Sequence, residues 1–433
     1  MNSDIQYLLS LQAVRDRANK VFDIAKRGAL NHFEFHPEKL PTATDYIVNV
    51  ISRDFGPDRF HEIPPHGRWQ HFNVGGVDRI AELLASIKDT ADLTEQTRVL
   101  TDLFFVSVLL DAGAGDKWRY KEPGSGAIYE RSEGIAVASL HMFKAGLFSS
   151  NKGAKLSVDG NNLAQGLESI GEEQMSQAFQ ISTTNPMVGI GARVELLRSV
   201  GRSLKSLPDI FGPSGRPGNL VDHILRSSKS KSLEYSELWN SLQSVLIPSW
   251  PKSRTHIDGQ PIGDAWPLKV LEKDTQEHGA QSIISTIQPF HKLTQWLAYS
   301  LSVPFTRLLN MEWANINLGT GLPEYRNGGF LVDIGVLSLQ PNALAEGQSA
   351  SKQALPMFKD TSDVIVEWRA LTVALLDELH GLVAKSFASK GVQLSMAQML
   401  EAGSWKSGRE IAAHYRPETK SSPILIDGDG TLF

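Results

Sequence analysis

Carboxylates set among arginines and aromatic rings are the residues of this chain best suited to chemistry. The densest group is Leu109–Gly134, LLDAGAGDKWRYKEPGSGAIYERSEG, where an apolar run ends at Asp111 and opens into a glycine-broken segment. It carries Asp111, Asp116, Glu122 and Glu133 with Trp118 between them. Active sites concentrate in loops of this kind when a rigid scaffold holds them, and a solvated loop laced with ion pairs has the same composition. Glu324 stands in Glu324-Tyr325-Arg326, between a Gly-Leu-Pro turn and Asn327-Gly328-Gly329, with Asp333 downstream. Glu367 adjoins Trp368 early in an apolar-striped stretch, where it reads equally well as a solvated helical position. Two such carboxylates can divide acid and base work, or stabilise a developing cation. His66-Gly67-Arg68-Trp69 adds a planar guanidinium among rings, which suits a flat or anionic ligand.

Several chemistries are excluded. The chain has no cysteine, which removes disulfides, thiolate catalysis and cysteine-ligated metals. His61, His66 and His71 are five residues apart, so no two share a helical face, and Pro37 disfavours a helix at His32 and His36. No metal site and no cofactor are expected. Gly113-Ala114-Gly115 and Gly189-Ile190-Gly191 fit neither a dinucleotide fingerprint nor a phosphate loop, and no Gly-x-Ser-x-Gly elbow occurs. The closing ILIDGDGTLF imitates the aspartate signature of haloacid-dehalogenase-type phosphatases. In those enzymes the signature follows the first strand and a whole α/β domain comes after it, so Asp427 and Asp429 are read here as part of a docked tail.

Size and pattern indicate what must position these residues. The 433 residues, 41% hydrophobic and 21% charged, can bury a substantial core. The net charge of −5 argues against a nucleic-acid partner or an anionic membrane surface. With no secretory h-region and no long apolar run, a cytoplasmic protein is expected; its oligomeric state is not legible. Most periodic segments read as helix. One stripe begins at Ser3 and stops at Gly28. A second runs Phe290, Leu293, Leu297, Leu301 behind Pro289, and a third Val364, Trp368, Leu371, Leu375, Leu379, Leu382 behind Thr361-Ser362-Asp363. Strands are expected only at Gly329–Val336 and Pro423–Ile426, and polar loops at Pro208–Gly218, Pro248–Pro267 and Gln340–Leu355. The fold class is mainly α with at most a small β element. It forms one domain, 1–433, or the same body in two packed lobes, about 1–215 and 216–433.

Several of these stretches together resemble one family. IPPHGRWQHF, VSVLLDAGAGDKWRY, RSEGIAVASLHMF, HKLTQWLAYSL, TGLPEYRNGGFLVD, VEWRALTVALLDEL and GSWKSGREIA are similar to the uracil-catabolism protein of the fungal and bacterial pathway that degrades pyrimidines through ribosylurea. HKLTQWLAYSL, EYRNGGFLVDIGVLSL and VEWRALTVALLDEL also resemble, more weakly, three ordered segments of the queuosine-salvage N-glycosidases, which are largely helical. Where those enzymes carry Asp-Tyr-Arg, this chain has Glu324-Tyr325-Arg326, one methylene longer. Where they continue Val-Pro-Gln, it has Asn327-Gly328-Gly329.

The resemblance implies a compact multi-helical glycosidase-like body acting on a small nucleoside-like substrate. The implied reaction is hydrolysis of ribosylurea, or a related ring-opened uracil riboside, to urea and the sugar. An amidohydrolase on another ring-opened intermediate, or a non-catalytic partner of the pathway enzymes, stays open. In this reading Glu324 is the base or cation stabiliser, oriented by Arg326 and kept ionised by that neighbouring positive charge, and Asp111 is the second carboxylate. Glu367, Trp118, Arg68 and Asp333 complete the expected substrate pocket.

Overall fold

The third stripe becomes a 26-residue helix, Asp363–Ala388, and much of the architecture near it follows from how it is buried. Every residue from Val364 to Leu376 is inaccessible, Glu367 and Arg369 included, so this part is buried on all sides, and only from Asp377 onward does one face meet solvent. The computed structural model describes all residues except 1–2, 112, 116, 152, 154–155, 162–165, 229, 278–281 and 429–433. Asp116, Asp429 and the end of the tail therefore lie outside the described residues.

The protein is mainly α-helical, and among the described residues strands occur only as two-stranded pairs. Such pairs are too small to stand alone and act as ties between loops. Among those residues no helix is long and apolar enough to cross a membrane. The chain divides into two units, each assembled from separated segments. Of the described residues, one comprises those up to His66, Thr255–Lys292 and Asn317–Gly428; the other comprises those within Gly67–Arg254 and Leu293–Ile316.

In the first unit the Asp363–Ala388 helix packs along the helix Leu11–Lys26, and Arg15 pairs with Asp377 at 2.7 Å. Successive helical residues point about 100° apart, so Glu367, Trp368 and Arg369 address three different segments. Glu367 accepts the amides of Asn31, His32 and Phe33 at 3.0, 2.8 and 3.1 Å, fixing the start of the strand Phe33–Phe35. That strand pairs antiparallel with Leu337–Leu339. Trp368 donates its indole N–H to the carbonyl of Gly328. Arg369 forms a bidentate pair with Asp264, both contacts 2.8 Å, and lies over the Phe290 ring. Arg369 and Asp264 are 1% and 2% exposed. Burial alone would raise the Asp264 carboxyl; the Arg369 charge, with the Trp266 and Lys292 hydrogen bonds, instead holds it below the usual carboxylate range.

Several sequence expectations change at the element level. The first stripe is two helices, Ser3–Leu8 and Leu11–Lys26, because Ser10 caps the second through the Ala13 amide. Pro289 ends the strand Ile287–Pro289, and the following helix starts later, at Lys292. Gly329–Val336 is not a strand: its first part belongs to the helix Tyr325–Asp333, because Glu324 caps that helix and overrides the apolar run. The polar Gln340–Leu355 stretch contains the helix Pro341–Ser351, with proline in its first turn where the missing N–H costs nothing. The C-terminal strand does form, as Leu425–Asp427 beside Met357–Lys359 in parallel.

In the second unit the helix Leu93–Leu110 is inaccessible from Val99 onward and packs on Arg131–Lys144 and Ile190–Lys205. Asp102, inside that helix, accepts from Arg216 Nε at 2.8 Å and from the Gly218 amide at 2.7 Å. Pro208–Gly218 is therefore folded back on the helix. Residue 215 lies inside this unit.

Two expected outcomes follow. Arg369→Met should lower the unfolding free energy by ~3–5 kcal/mol, because it leaves the buried Asp264 charge without its partner. A loss below ~1 kcal/mol in chemical denaturation would show that the pair is not central. Gly328→Ala would place a Cβ 2.8 Å from Trp368 Cε2 and 2.9 Å from Thr372 Oγ1. It should cost ~1–3 kcal/mol by overpacking, and an unchanged midpoint would refute that contact.

Candidate active site

Glu324 sits where the turn Thr320–Pro323 enters the helix Tyr325–Asp333. Its extended backbone (φ −120°, ψ 161°) makes it the N-cap residue. Oε2 accepts the Arg326 amide and Oε1 the Asn327 amide, both at 2.7 Å. The turn is braced from behind by Arg369 Nε, which donates to the Pro323 carbonyl at 3.3 Å. Asn327 is braced by Ser404, whose hydroxyl donates to its side-chain oxygen at 2.9 Å.

The Asp264–Arg369 pair also places Lys292, whose amide donates to Asp264 Oδ2 at 3.0 Å. The preceding residue, His291, is a buried non-glycine residue at φ +47°, held by a contact between its Nε2 and the Leu8 carbonyl. Residues kept in that region by their surroundings cluster at functional sites. Burial pushes the His291 imidazole towards its neutral form.

The charges acting on Glu324 come from Lys292 and His66. Burial is the largest effect and raises its carboxyl to about 7; the Asn327 amide and those two charges pull against it. Glu324 is thus poised between acid and base at neutral pH. His66 is 3% exposed and firmly held. Its amide donates to the Ala397 carbonyl at 2.8 Å, its Nδ1 lies 2.5 Å from Glu401 Oε2, and its ring packs on Trp405. Glu401 comes from a π-helical turn, Leu400–Ser404, a rare insertion that is frequent at functional sites. Among the described residues no three histidine or acidic side chains gather as a metal would require.

The remaining expected site residues are distributed as follows. Arg326 turns its guanidinium over Tyr325 and donates to the Lys420 carbonyl at 3.0 Å. It does not hold Glu324 ionised, and burial shifts that carboxyl in the opposite direction. Glu367 is fully buried, not solvated, and three backbone amides occupy its two oxygens. Asp333 forms a two-point pair with Arg416. These residues belong to the first unit, with Glu324.

Asp111, Arg68 and Trp118 belong to the second unit. Arg68 is fully buried and gives Nη1 to Asp111 at 2.7 Å, Nε to Ser107 at 2.8 Å, and its amide to Ser300 at 3.1 Å. Burial depresses its pKa, against the charges of Asp111 and Glu133. Trp118 is a core residue, its indole donating to the Phe179 carbonyl at 2.9 Å. Glu122 is locked by Arg79 at 2.7 and 2.8 Å and held down at about 2.

Sequence reasoning missed Lys292 and Glu401. The first was visible inside HKLTQWL. The second carried no local signal, because its role depends on a residue 335 positions away.

The chain is similar to known proteins along its length. A family model described as "Protein of unknown function (DUF1688)" matches residues 7–433. Protein urg3 of Schizosaccharomyces pombe is 47% identical over 429 residues, 98% of this chain and 98% of that protein. Uracil catabolism protein 4 of Lachancea kluyveri is 40% identical over 449 residues, all of both chains. The chain belongs to the DUF1688 family.

Proposed function

We propose that this protein acts in uracil catabolism, as the name of its Lachancea relative suggests, and that it is an N-ribosidase. The substrate in this reading is ribosylurea or a related ring-opened uracil riboside, and the products are urea and the free sugar. The observation that carries the reading is Glu324: a carboxyl raised to about 7 by burial, in the segment that resembles the acid-bearing stretch of N-glycosidases.

Cleaving a C–N glycosidic bond builds positive charge on the sugar. A carboxylate beside the anomeric carbon stabilises that charge and takes a proton from attacking water. A base is most useful when its pKa lies near the working pH, which is where burial puts Glu324. The two amides fix its oxygens, so the group is already oriented when substrate arrives.

Purified protein given N-ribosylurea should release urea and ribose. Other products favour an amidohydrolase, and no turnover by the protein alone favours a partner role. Below pH 7 Glu324 is mostly protonated and cannot act as a base, so kcat/KM should rise as pH passes through about 7. Glu324→Gln should flatten this rise and lower the single-turnover rate per folded molecule by ~10²-fold or more. If the side chain only caps its helix, the thermal midpoint will fall while turnover stays near wild type.

A further inference from the structure

We infer that His66, oriented by Glu401, donates the proton to the departing urea nitrogen; the assignment rests on the ribosidase reading above. Ureide is a poor leaving group, so C–N cleavage requires a proton at the nitrogen as well as a carboxylate at the sugar. Glu324 supplies one function and cannot supply both in the same step. A second acid–base group is therefore needed, and the first unit provides one in His66: the π turn whose Glu401 holds the imidazole also carries Ser404, whose hydroxyl braces the Asn327 that holds Glu324.

The holding of the ring suits this work. Glu401 engages Nδ1 at 2.5 Å, the carboxylate–imidazole arrangement that fixes tautomer and ring orientation and assigns proton transfer to Nε2. Trp405 packs against the ring, and the backbone bond to Ala397 fixes the residue from the other side. The π turn that presents Glu401 would be an elaborate way to place a mere surface ion pair, and the side chains of Glu401 and His66 are 13% and 4% exposed.

In the step itself, the C1′–N bond breaks and its electron pair goes to nitrogen. That nitrogen takes the proton from Nε2 of the imidazolium. Water oxygen bonds to C1′, and its proton passes to the Glu324 carboxylate. Ribosylurea and water become urea and ribose, and the two side chains then exchange a proton with solvent to reset.

The test compares leaving groups. Wild type, His66→Gln, Glu401→Gln and Glu324→Gln are assayed on N-ribosylurea and on 4-nitrophenyl riboside, whose phenolate departs without a proton. His66→Gln should lose ~10²-fold or more on ribosylurea and less than ~5-fold on the aryl riboside. Glu401→Gln, which keeps the size of the side chain and removes its charge, should show a smaller loss with the same selectivity. Glu324→Gln should lose on both substrates.

Equal losses of His66→Gln on both substrates, or none on either, overturn the assignment. So does a wild type that splits ribosylurea but not the aryl riboside. If His66→Gln does not fold, as judged by thermal midpoint, Glu401→Gln decides by the same selectivity. A wild type inert to both ribosides overturns the ribosidase reading, and the donor assignment falls with it.

Discussion

Within the first unit, one buried ion pair governs the placement of the residues that matter. Arg369 and Asp264 are both nearly inaccessible, and neither charge is tolerable there without the other. Asp264 fixes the amide at Lys292, and Arg369 fixes the carbonyl at Pro323, one residue before Glu324. Two segments distant in sequence are thus set against the same rigid fork. Guanidinium and carboxylate planes allow little angular freedom, so the pair transmits orientation as well as attraction. Lysine in place of arginine would supply the charge without the second donor direction.

The sequence was most readable where one interaction dominates locally. The Val364 stripe forms a helix because its apolar spacing and freedom from proline agree, while Ser362 at the N-cap makes no capping hydrogen bond. The Gly329–Val336 run misleads because its apolar content suggests a strand while a single side chain, Glu324, nucleates a helix. Glu367 shows the opposite failure. Its place beside Trp368 suggested a group turned towards solvent or ligand, yet its three amide partners come from residues 31–33. Nothing within ten positions of Glu367 could disclose them. The same holds for Glu401 and His66, whose pairing is created wholly by tertiary structure.

Carboxylates of similar appearance in the sequence end in different electrostatic states. Glu122, clamped by Arg79, is held at about 2. Asp102, buried deeper and paired with Arg216, rises to about 6. Glu324 has two amides and more distant charges, with no guanidinium on its oxygens, and rises to about 7. What separates them is the balance between desolvation and direct pairing. Of these three, Glu324 is the one not committed to an arginine, and so the one able to change protonation without breaking an ion pair.

The π turn at Leu400–Ser404 carries a consequence for how this family can vary. A turn with i→i+5 hydrogen bonding holds about one residue more than α geometry allows, so it shifts the angular phase of everything after it by roughly 100°. In the helix Trp405–Tyr415, which follows directly, Gly408 faces the Arg326 backbone so closely that a Cβ would lie 2.3 Å from the carbonyl oxygen. Only one phase of the helix brings a residue without a side chain to that point. Deleting one residue from the turn would straighten it into ordinary helix and swing a neighbour of Gly408 into the Arg326 carbonyl. A single insertion or deletion between Leu400 and Gly408 therefore moves the glycine off that point, a constraint on chain length separate from the one on substitution at Gly408 itself.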